Sequence, residues 1–127
     1  MEINRPDILA EVTELFEIYE RALVTNDVAT LDGLFWESPL VVRYGNGENL
    51  YGIDALRAFR AARPTNDLSR KLTHTVITTF GTDFATANAE YKRLKSGLVG
   101  RQSQTWCRLP AGWRIVSAHV SFLPPAT

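Results

Sequence analysis

Four polar side chains occupy positions from which they could bind a small anionic molecule. Tyr19 belongs to the apolar stripe of a predicted helix, so its phenol should point inward, where a buried hydroxyl needs a partner. Arg43 follows three apolar residues of a predicted strand, and a guanidinium there is costly unless an anion pairs with it. Gln102 and Gln104 share one strand face with Trp106, which marks that face as the inner one. Arg43 thus suits an anion, and the two amides are neutral polar donors that suit a urea-like ligand.

Each of these residues also has an explanation that needs no ligand. Tyr19 could be a core tyrosine bonded to a backbone carbonyl. Arg43 could form a structural salt bridge with Glu48 or Glu90. The two glutamines could form a hydrogen-bonding ladder across the sheet. The sequence leaves both interpretations open.

Further candidates for substrate binding lie in the loop before the third predicted helix, because loops at a pocket mouth often supply specificity. They are Asn46, Glu48 and Tyr51. Trp106 would line the same wall as the two glutamines. His119 is a candidate because histidine titrates near neutral pH. By alternation His119 shares a face with Trp113 and Ile115, and the pattern does not decide which face points inward.

Three helices are expected in the first half of the chain. Apolar residues recur there at helical spacing, with Asn4 as the candidate N-cap of the first helix and Asn26-Asp27 as the cap of the second. The predicted helices are Pro6–Thr25, Val28–Phe35 and Ile53–Arg63. A short strand, Leu40–Tyr44, separates the second helix from the third.

From Leu68 onward the chain changes to β-branched and alternating segments separated by turns that contain glycine or proline. Four long strands are predicted: Leu72–Phe80, Phe84–Leu94, Leu98–Leu109 and Trp113–Phe122. Helices followed by a meander define a single α+β domain over residues 1–127. The N-terminal helices would pack on the concave face of a curved, mostly antiparallel sheet, forming a cone with a pocket inside. The uncovered sheet face predicts a homodimer.

Charge and composition limit the classes of molecule that the protein is expected to bind. Fourteen basic residues balance 14 acidic ones, so neither nucleic acid nor a membrane is expected as a partner. Arginine outnumbers lysine eleven to three, and guanidinium pairs well with planar carboxylates, which favours a small anionic ligand. The single Cys107 and the lack of zinc-type spacing predict no metal and no cofactor. With no signal peptide or apolar span in the sequence, a cytoplasmic location is expected.

Several motifs resemble known families. The C-terminal stretch Gly112-Trp113-Arg114-Ile115-Val116, followed by His119-Val120-Ser121, resembles the SnoaL-like branch of the NTF2-like superfamily. A more specific set covers nearly the whole chain and together resembles the AtzH-like family, formerly a domain of unknown function. That set is Tyr19–Leu23, Asp32–Trp36, Arg43–Gly45 with Glu48–Gly52, Phe59–Pro64 and Gly100–Trp106.

The resemblance implies a cofactor-independent, decarboxylating amidohydrolase that acts on a small carboxylated urea in nitrogen catabolism. It implies that Tyr19 is catalytic and that Arg43 holds the substrate carboxylate, while Gln102 and Gln104 would position the urea core. Water would be the nucleophile, and carbon dioxide would leave the carbamate-like product. One alternative is a non-catalytic protein of the same fold that binds a carboxylate or assembles with an amidase. Another is an isomerase or lyase that stabilises an enolate with the same tyrosine and arginine.

Overall fold

Three helices and six strands form the computed structural model, which describes residues 1–125. The helices are α1 (Pro6–Val24), α2 (Val28–Leu34) and α3 (Ile53–Ala62). The strands are β1 (Val42–Tyr44), β2 (Asn49–Tyr51), β3 (Arg70–Phe80), β4 (Phe84–Arg93), β5 (Val99–Leu109) and β6 (Gly112–Phe122). The α+β class is confirmed, and each predicted helix and strand is present with ends shifted by no more than two residues.

The six strands form one sheet in the order β2-β1-β6-β5-β4-β3. All neighbouring strands are antiparallel except β1 and β6, which run parallel. Between these two strands the chain passes through β2 and α3 to β3 at the opposite edge, and β4 and β5 then lead back to β6. The sequence pattern did not predict β2, a three-residue strand. It pairs with β1 across a turn in which the Gly45 N–H donates to the Glu48 carbonyl over 2.9 Å. Tyr51 therefore belongs to a strand rather than to a loop.

The predicted N-cap of α1 was wrong, whereas that of α2 is confirmed. Arg5 occupies the N-cap position of α1 and makes no side-chain cap bond. Asn4 instead adopts a φ of 56° and ties the N-terminus to β3, where its Oδ1 accepts a hydrogen bond from the Thr79 N–H over 2.9 Å. Asp27 caps α2 by accepting a bond from the Thr30 N–H over 3.2 Å. Those bonds to Thr30 hold the pKa of Asp27 below its usual value.

Helix α1 packs its apolar stripe against the inner face of the sheet. Its buried residues are Ile8, Val12, Phe16, Tyr19, Ala22 and Leu23. On the sheet side, the inner face of β4 carries three small residues, Ala85, Ala87 and Ala89, and then Tyr91, and all four are buried. On β5, Gln102, Gln104 and Trp106 are buried while the residues between them face outward, so the predicted alternation along β5 is confirmed.

A β-bulge in β6 changes the alternation on which the position of His119 depends. Thr105 pairs with Ser117 and Trp106 pairs with Ile115, so Val116 is an extra residue without a partner. Ile115 and Ala118 consequently lie on the same inner face, although strict alternation separates them. The grouping of His119 with Ile115 was therefore wrong, and His119 is exposed on the outer face of the sheet. None of the helices within residues 1–125 is both long and apolar enough to span a membrane.

Candidate functional site

A cavity of about 260 Å³ opens where β1, the end of α3 and the ends of β4 and β6 meet. Three arginines line it, Arg43 on β1, Arg63 after α3 and Arg93 at the end of β4. Apolar side chains of α3 and β6 form the other walls, among them Phe59 and Val120. Glu48 and Asp67 also line the cavity, so three guanidinium groups face two carboxylates and the lining keeps a net positive charge. The cavity therefore has the electrostatic character of an anion-binding site.

Arg43 already has an internal partner. Its Nη1 donates to Glu48 Oε1 over 2.9 Å, and only 13% of its side chain is exposed. Glu48 reaches Arg43 by folding back over Gly45, where any Cβ would collide with the Glu48 carboxylate. Of the two internal partners considered from the sequence, Glu48 is thus the one that pairs with Arg43. Asn46 lines the same cavity from the turn between β1 and β2.

Arg63 lines the same cavity but has no carboxylate partner among residues 1–125. Its Nη2 donates to the side-chain carbonyl of Asn26 over 3.5 Å, and its Nε is buried without a hydrogen bond. Pro64 favours an extended conformation at Arg63, which ends α3 with its N–H bonded to Phe59 O. Burial and repulsion by Arg60, supplemented by Arg43 and Arg93, lower the pKa of Arg63. An anionic ligand would relieve this repulsion.

Arg93 and Asp67 form a second pair of opposite charges in the cavity, after Arg43 and Glu48. Arg93 Nη1 donates to the backbone carbonyl of Asp67 and lies 3.9 Å from Asp67 Oδ2. The other carboxylate oxygen, Oδ1, is buried and has no hydrogen-bond partner within residues 1–125. Asp67 is therefore a carboxylate that lines the cavity with one buried oxygen left without a hydrogen bond within residues 1–125.

Deeper inside, Tyr19 and the two glutamines lie between α1 and the sheet. Tyr19 is 4% exposed, and its ring centroid lies 6.4 Å from that of Phe35. Its phenol is close enough to the guanidinium groups of Arg63 and Arg70 to interact with both electrostatically. Gln102 pairs across the sheet with Val120, and Val120 in turn lines the cavity.

Both glutamines use their carbonyl oxygen and leave their amide nitrogen without a partner. Gln102 Oε1 accepts from Arg70 over 3.0 Å, and Gln104 Oε1 accepts from Trp106 Nε1 over 3.0 Å. Each glutamine is 2% exposed, and neither Nε2 atom has a hydrogen-bond partner within residues 1–125. Buried N–H donors without acceptors are costly, so these two amides are expected to receive an acceptor from a ligand or water.

Two residues predicted from the sequence lie elsewhere. Tyr51 is 61% exposed, and its hydroxyl lies 3.2 Å from that of Tyr44. The hydrogen bond to Tyr44 raises the pKa of Tyr51. His119 packs edge-on against Tyr44 on the outer face, with ring centroids 5.8 Å apart. The structure therefore does not bring Tyr51 and His119 together with Tyr19 and the arginines.

Sequence reasoning missed four charged residues of the site. Arg63, Asp67 and Arg93 surround the cavity, and Arg70 holds Gln102. Arg63 lies within the Phe59–Pro64 motif of the family resemblance, which was the available signal. The other three lie at the ends of predicted strands or in a loop, where hydrophobic periodicity carries no information. Across residues 1–125, no group of three or more His, Cys, Asp or Glu side chains is arranged to hold a metal ion.

Comparison with solved structures defines the class of the protein. The fold matches that of an NTF2-like superfamily protein from Salmonella enterica with a TM-score of 0.73 and 26% identity, covering 95% of this chain and 93% of the other. It matches a cystatin-like fold protein from Burkholderia xenovorans with a TM-score of 0.94 and 51% identity, covering 99% of both chains. The architecture is thus the NTF2-like, or cystatin-like, cone.

The particular family follows from the sequence profile. The AtzH-like family profile matches residues 1–126, and the chain belongs to the AtzH-like family. A protein of unknown function from the DUF3225 family of Pectobacterium atrosepticum is 56% identical, with a TM-score of 0.93 over 96% of this chain and 95% of its own. No protein with a curated description gave a significant match.

Proposed function

We propose that this protein acts on a small carboxylated urea and releases its carboxylate as carbon dioxide. The observation that carries the proposal is Arg63, a cavity arginine without a carboxylate partner in residues 1–125. The amide nitrogens of Gln102 and Gln104, buried without partners in the same range, support it. A carboxylate can pair with Arg63, and a urea carbonyl can accept from Gln102 and Gln104. The cavity of about 260 Å³ suits a molecule of this small size.

Decarboxylation requires a place for negative charge and a source of one proton. The bond between the carboxylate carbon and the urea nitrogen breaks, its electron pair stays on nitrogen, and carbon dioxide leaves. The resulting charge is shared with the urea oxygen, where the two amide N–H groups stabilise it more strongly than in the ground state. The Tyr19 phenol then gives its proton to the nitrogen and recovers one from solvent. The sequence-based roles of Tyr19 and Arg43 fit this scheme, with Arg43 held ready by Glu48.

Amide hydrolysis, the activity expected from the sequence, remains the second candidate because of Asp67. Hydrolysis needs a base that takes a proton from water as the oxygen attacks the carbonyl carbon and the C–N bond breaks. Glu48 and Glu20 are occupied by arginines, whereas Asp67 Oδ1 lies at the cavity without a partner within residues 1–125. An Asp67→Asn variant should therefore abolish hydrolysis and leave decarboxylation in place.

The deciding experiment measures carbon dioxide and ammonia separately, with freshly prepared allophanate and related carboxylated ureas. Carbon dioxide without ammonia supports decarboxylation, and release of both supports hydrolysis. Tyr19→Phe and Arg43→Ala should lose turnover while remaining folded. Arg57→Ala serves as the matched control, because Arg57 lies outside the cavity and pairs with Glu37. Binding of the substrates without release of either product would favour the non-catalytic alternative.

We also propose that a second copy of the chain covers the outer face of the sheet. Glu90 and Arg101 are directly opposite each other on this face, and both are exposed. Val76 is 46% exposed and lines a shallow groove with His74 and Arg101. Complementary charges around an exposed apolar residue suit an isologous contact. Sedimentation velocity should show a dimer for the wild type and a monomer for Val76→Glu, and a monomeric wild type would contradict the proposal.

A further inference from the structure

The ion pair between Glu48 and Arg43 is built into the turn that joins β1 to β2. Glu48 Oε1 accepts from Arg43 Nη1 over 2.9 Å, and Glu48 Oε2 accepts from the Gly47 N–H over 3.1 Å. A Cβ at Gly45 would collide with the Glu48 carboxylate and lie 3.1 Å from Arg43 Nη1. The missing side chain of Gly45 therefore leaves the space in which the carboxylate lies beside Arg43. Because both of its oxygens are bonded, Glu48 is held in this place.

Glu48 occupies only part of the hydrogen-bonding capacity of Arg43. A guanidinium has five N–H donors, and Glu48 accepts from Nη1 alone. The other N–H groups of Arg43 make no hydrogen bond to any residue between 1 and 125. A ligand carboxylate can thus bind Arg43 without displacing Glu48. The negative charge of Glu48 then remains next to the bound ligand.

The charges around the cavity nearly balance. The guanidinium groups of Arg43, Arg63 and Arg93 and the carboxylates of Glu48 and Asp67 leave one net positive charge in the lining. One ligand carboxylate neutralises that charge. A second ligand carboxylate would lose its hydration and gain no net attraction in return, within a cavity of about 260 Å³. The lining therefore matches a monoanion.

We infer that Glu48 is a specificity-determining residue that restricts the cavity to ligands with one carboxylate and an otherwise uncharged structure. The inference rests on the proposed function, in which the cavity arginines bind the substrate carboxylate, and it narrows the substrate class to monoanions. A carboxylated urea meets this condition, because its urea part is neutral. A compound of the same size with two carboxylates would be rejected, since bringing like charges together costs free energy.

The test compares two non-reacting probes, malonate and its monoamide malonamate, by calorimetric titration. At a mildly alkaline pH both carboxyl groups of malonate are ionised, so the probes have nearly the same size and differ by one charge. Wild type should bind malonamate about tenfold more tightly than malonate. Glu48→Gln keeps an oxygen that accepts from Arg43 and removes the charge. The ratio of the two dissociation constants should therefore shift by about tenfold towards malonate.

Glu37→Gln is the matched control for the loss of charge. Glu37 also pairs with an arginine, Arg57, over 3.2 Å, but this pair lies outside the cavity of Arg43. The control should leave the ratio at the wild-type value. An equal shift in Glu37→Gln would overturn the inference, because the total charge of the protein would then set the preference. An unchanged ratio in Glu48→Gln would also overturn it, because Glu48 would then serve to hold Arg43 and not to select the ligand.

A second pair of variants tests the position of the Glu48 carboxylate with every charge retained. Gly45→Ala forces the carboxylate out of its place beside Arg43, whereas a Cβ at Gly47 has no atom within 4 Å. Neither glycine has a positive φ, so alanine fits the backbone at both positions. The ratio should shift towards malonate in Gly45→Ala and stay at the wild-type value in Gly47→Ala. Equal ratios in these two variants would overturn the inference.

The titrations and the turnover assays distinguish this inference from the proposed function. Tighter binding of malonate than of malonamate by wild type would overturn the inference, even if carboxylated ureas are turned over. The expected ratios without turnover of any carboxylated urea would support the inference and count against the proposed reaction. Binding of neither probe by wild type would overturn the inference, and product release would then decide the proposed function by itself.

Discussion

The two ends of the inner sheet face are built from opposite kinds of side chain. We call the region of Arg43, Arg63 and Arg93 the arginine end and the region of Phe35 and Ile115 the apolar end. At the apolar end Ile115 is fully buried and Phe35 is 2% exposed, so burial there removes hydrocarbon surface from water. At the arginine end three guanidinium groups and the carboxylates of Glu48 and Asp67 line a cavity. The apolar end is therefore expected to provide stability, and the arginine end to provide ligand binding at some cost in stability.

The largest effect is expected from breaking the apolar end. Ile115→Ala should lower the free energy of unfolding by about 2–5 kcal/mol, because it removes buried methyl groups and leaves a cavity beneath α2. Urea denaturation followed by circular dichroism measures this loss. If the variant were as stable as the wild type, the division of roles between the two ends would be wrong.

At the arginine end the expected effect concerns catalysis. Arg63→Met should lower kcat/KM for a carboxylated urea by about 100-fold through loss of a charged hydrogen bond. Its stability should be unchanged or higher, because a partly buried charge without a carboxylate partner is removed. Parallel urea denaturation and product assays test both statements. Marked unfolding of Arg63→Met would show that Arg63 stabilises the fold.

A third variant tests whether Gly100 and the ring of Tyr91 are tightly packed against each other. A Cβ at Gly100 would lie closer than van der Waals contact to the ring of Tyr91, which is fully buried. Gly100→Ala should therefore reduce the free energy of unfolding by about 1–3 kcal/mol through overpacking. Gly33→Ala is the control, since a Cβ at Gly33 has no atom within 4 Å. Equal stability of the two variants would mean that the Tyr91 ring moves aside at little cost in free energy.

The smallest effect is expected from giving Arg63 a carboxylate partner, as Arg43 already has in Glu48. Asn26→Asp places a carboxylate 3.5 Å from Arg63 Nη2 with no change of shape, and aspartate tolerates the φ of 54° at this position. The new ion pair should raise KM for the anionic substrate by about tenfold, because the ligand must compete with it. Steady-state kinetics at low and high salt measure the change. An unaltered KM would show that Arg63 does not contact the substrate.

The sequence predicted the scaffold far better than the site. Hydrophobic periodicity located α1 and the four long strands because burial of one face requires it. It also placed Gln102, Gln104 and Trp106 on the inner face. The same alternation wrongly grouped His119 with Ile115, because a bulge adds a residue without any signal in the pattern.

The cavity arginines illustrate a second limit of sequence reasoning. Arg43 was recognised because a charge follows an apolar strand, whereas Arg63 looked like an ordinary helix end. Its lack of a carboxylate partner depends on distances between α2, α3 and β4, which only the folded chain defines. Local patterns thus identify which residues are buried, and tertiary structure determines which buried charges remain available.

The bulge at Val116 decides which later side chains of β6 face inward. If Val116 took up regular pairing with no bulge, every later side chain of the strand would turn to the opposite side of the sheet. The imidazole of His119 would enter the interior, and the Val120 side chain beside the arginines would be lost to solvent. Loss of the bulge without a change in length would thus exchange the lining of the cavity with the outer surface, whereas deletion of Val116 would leave both in place.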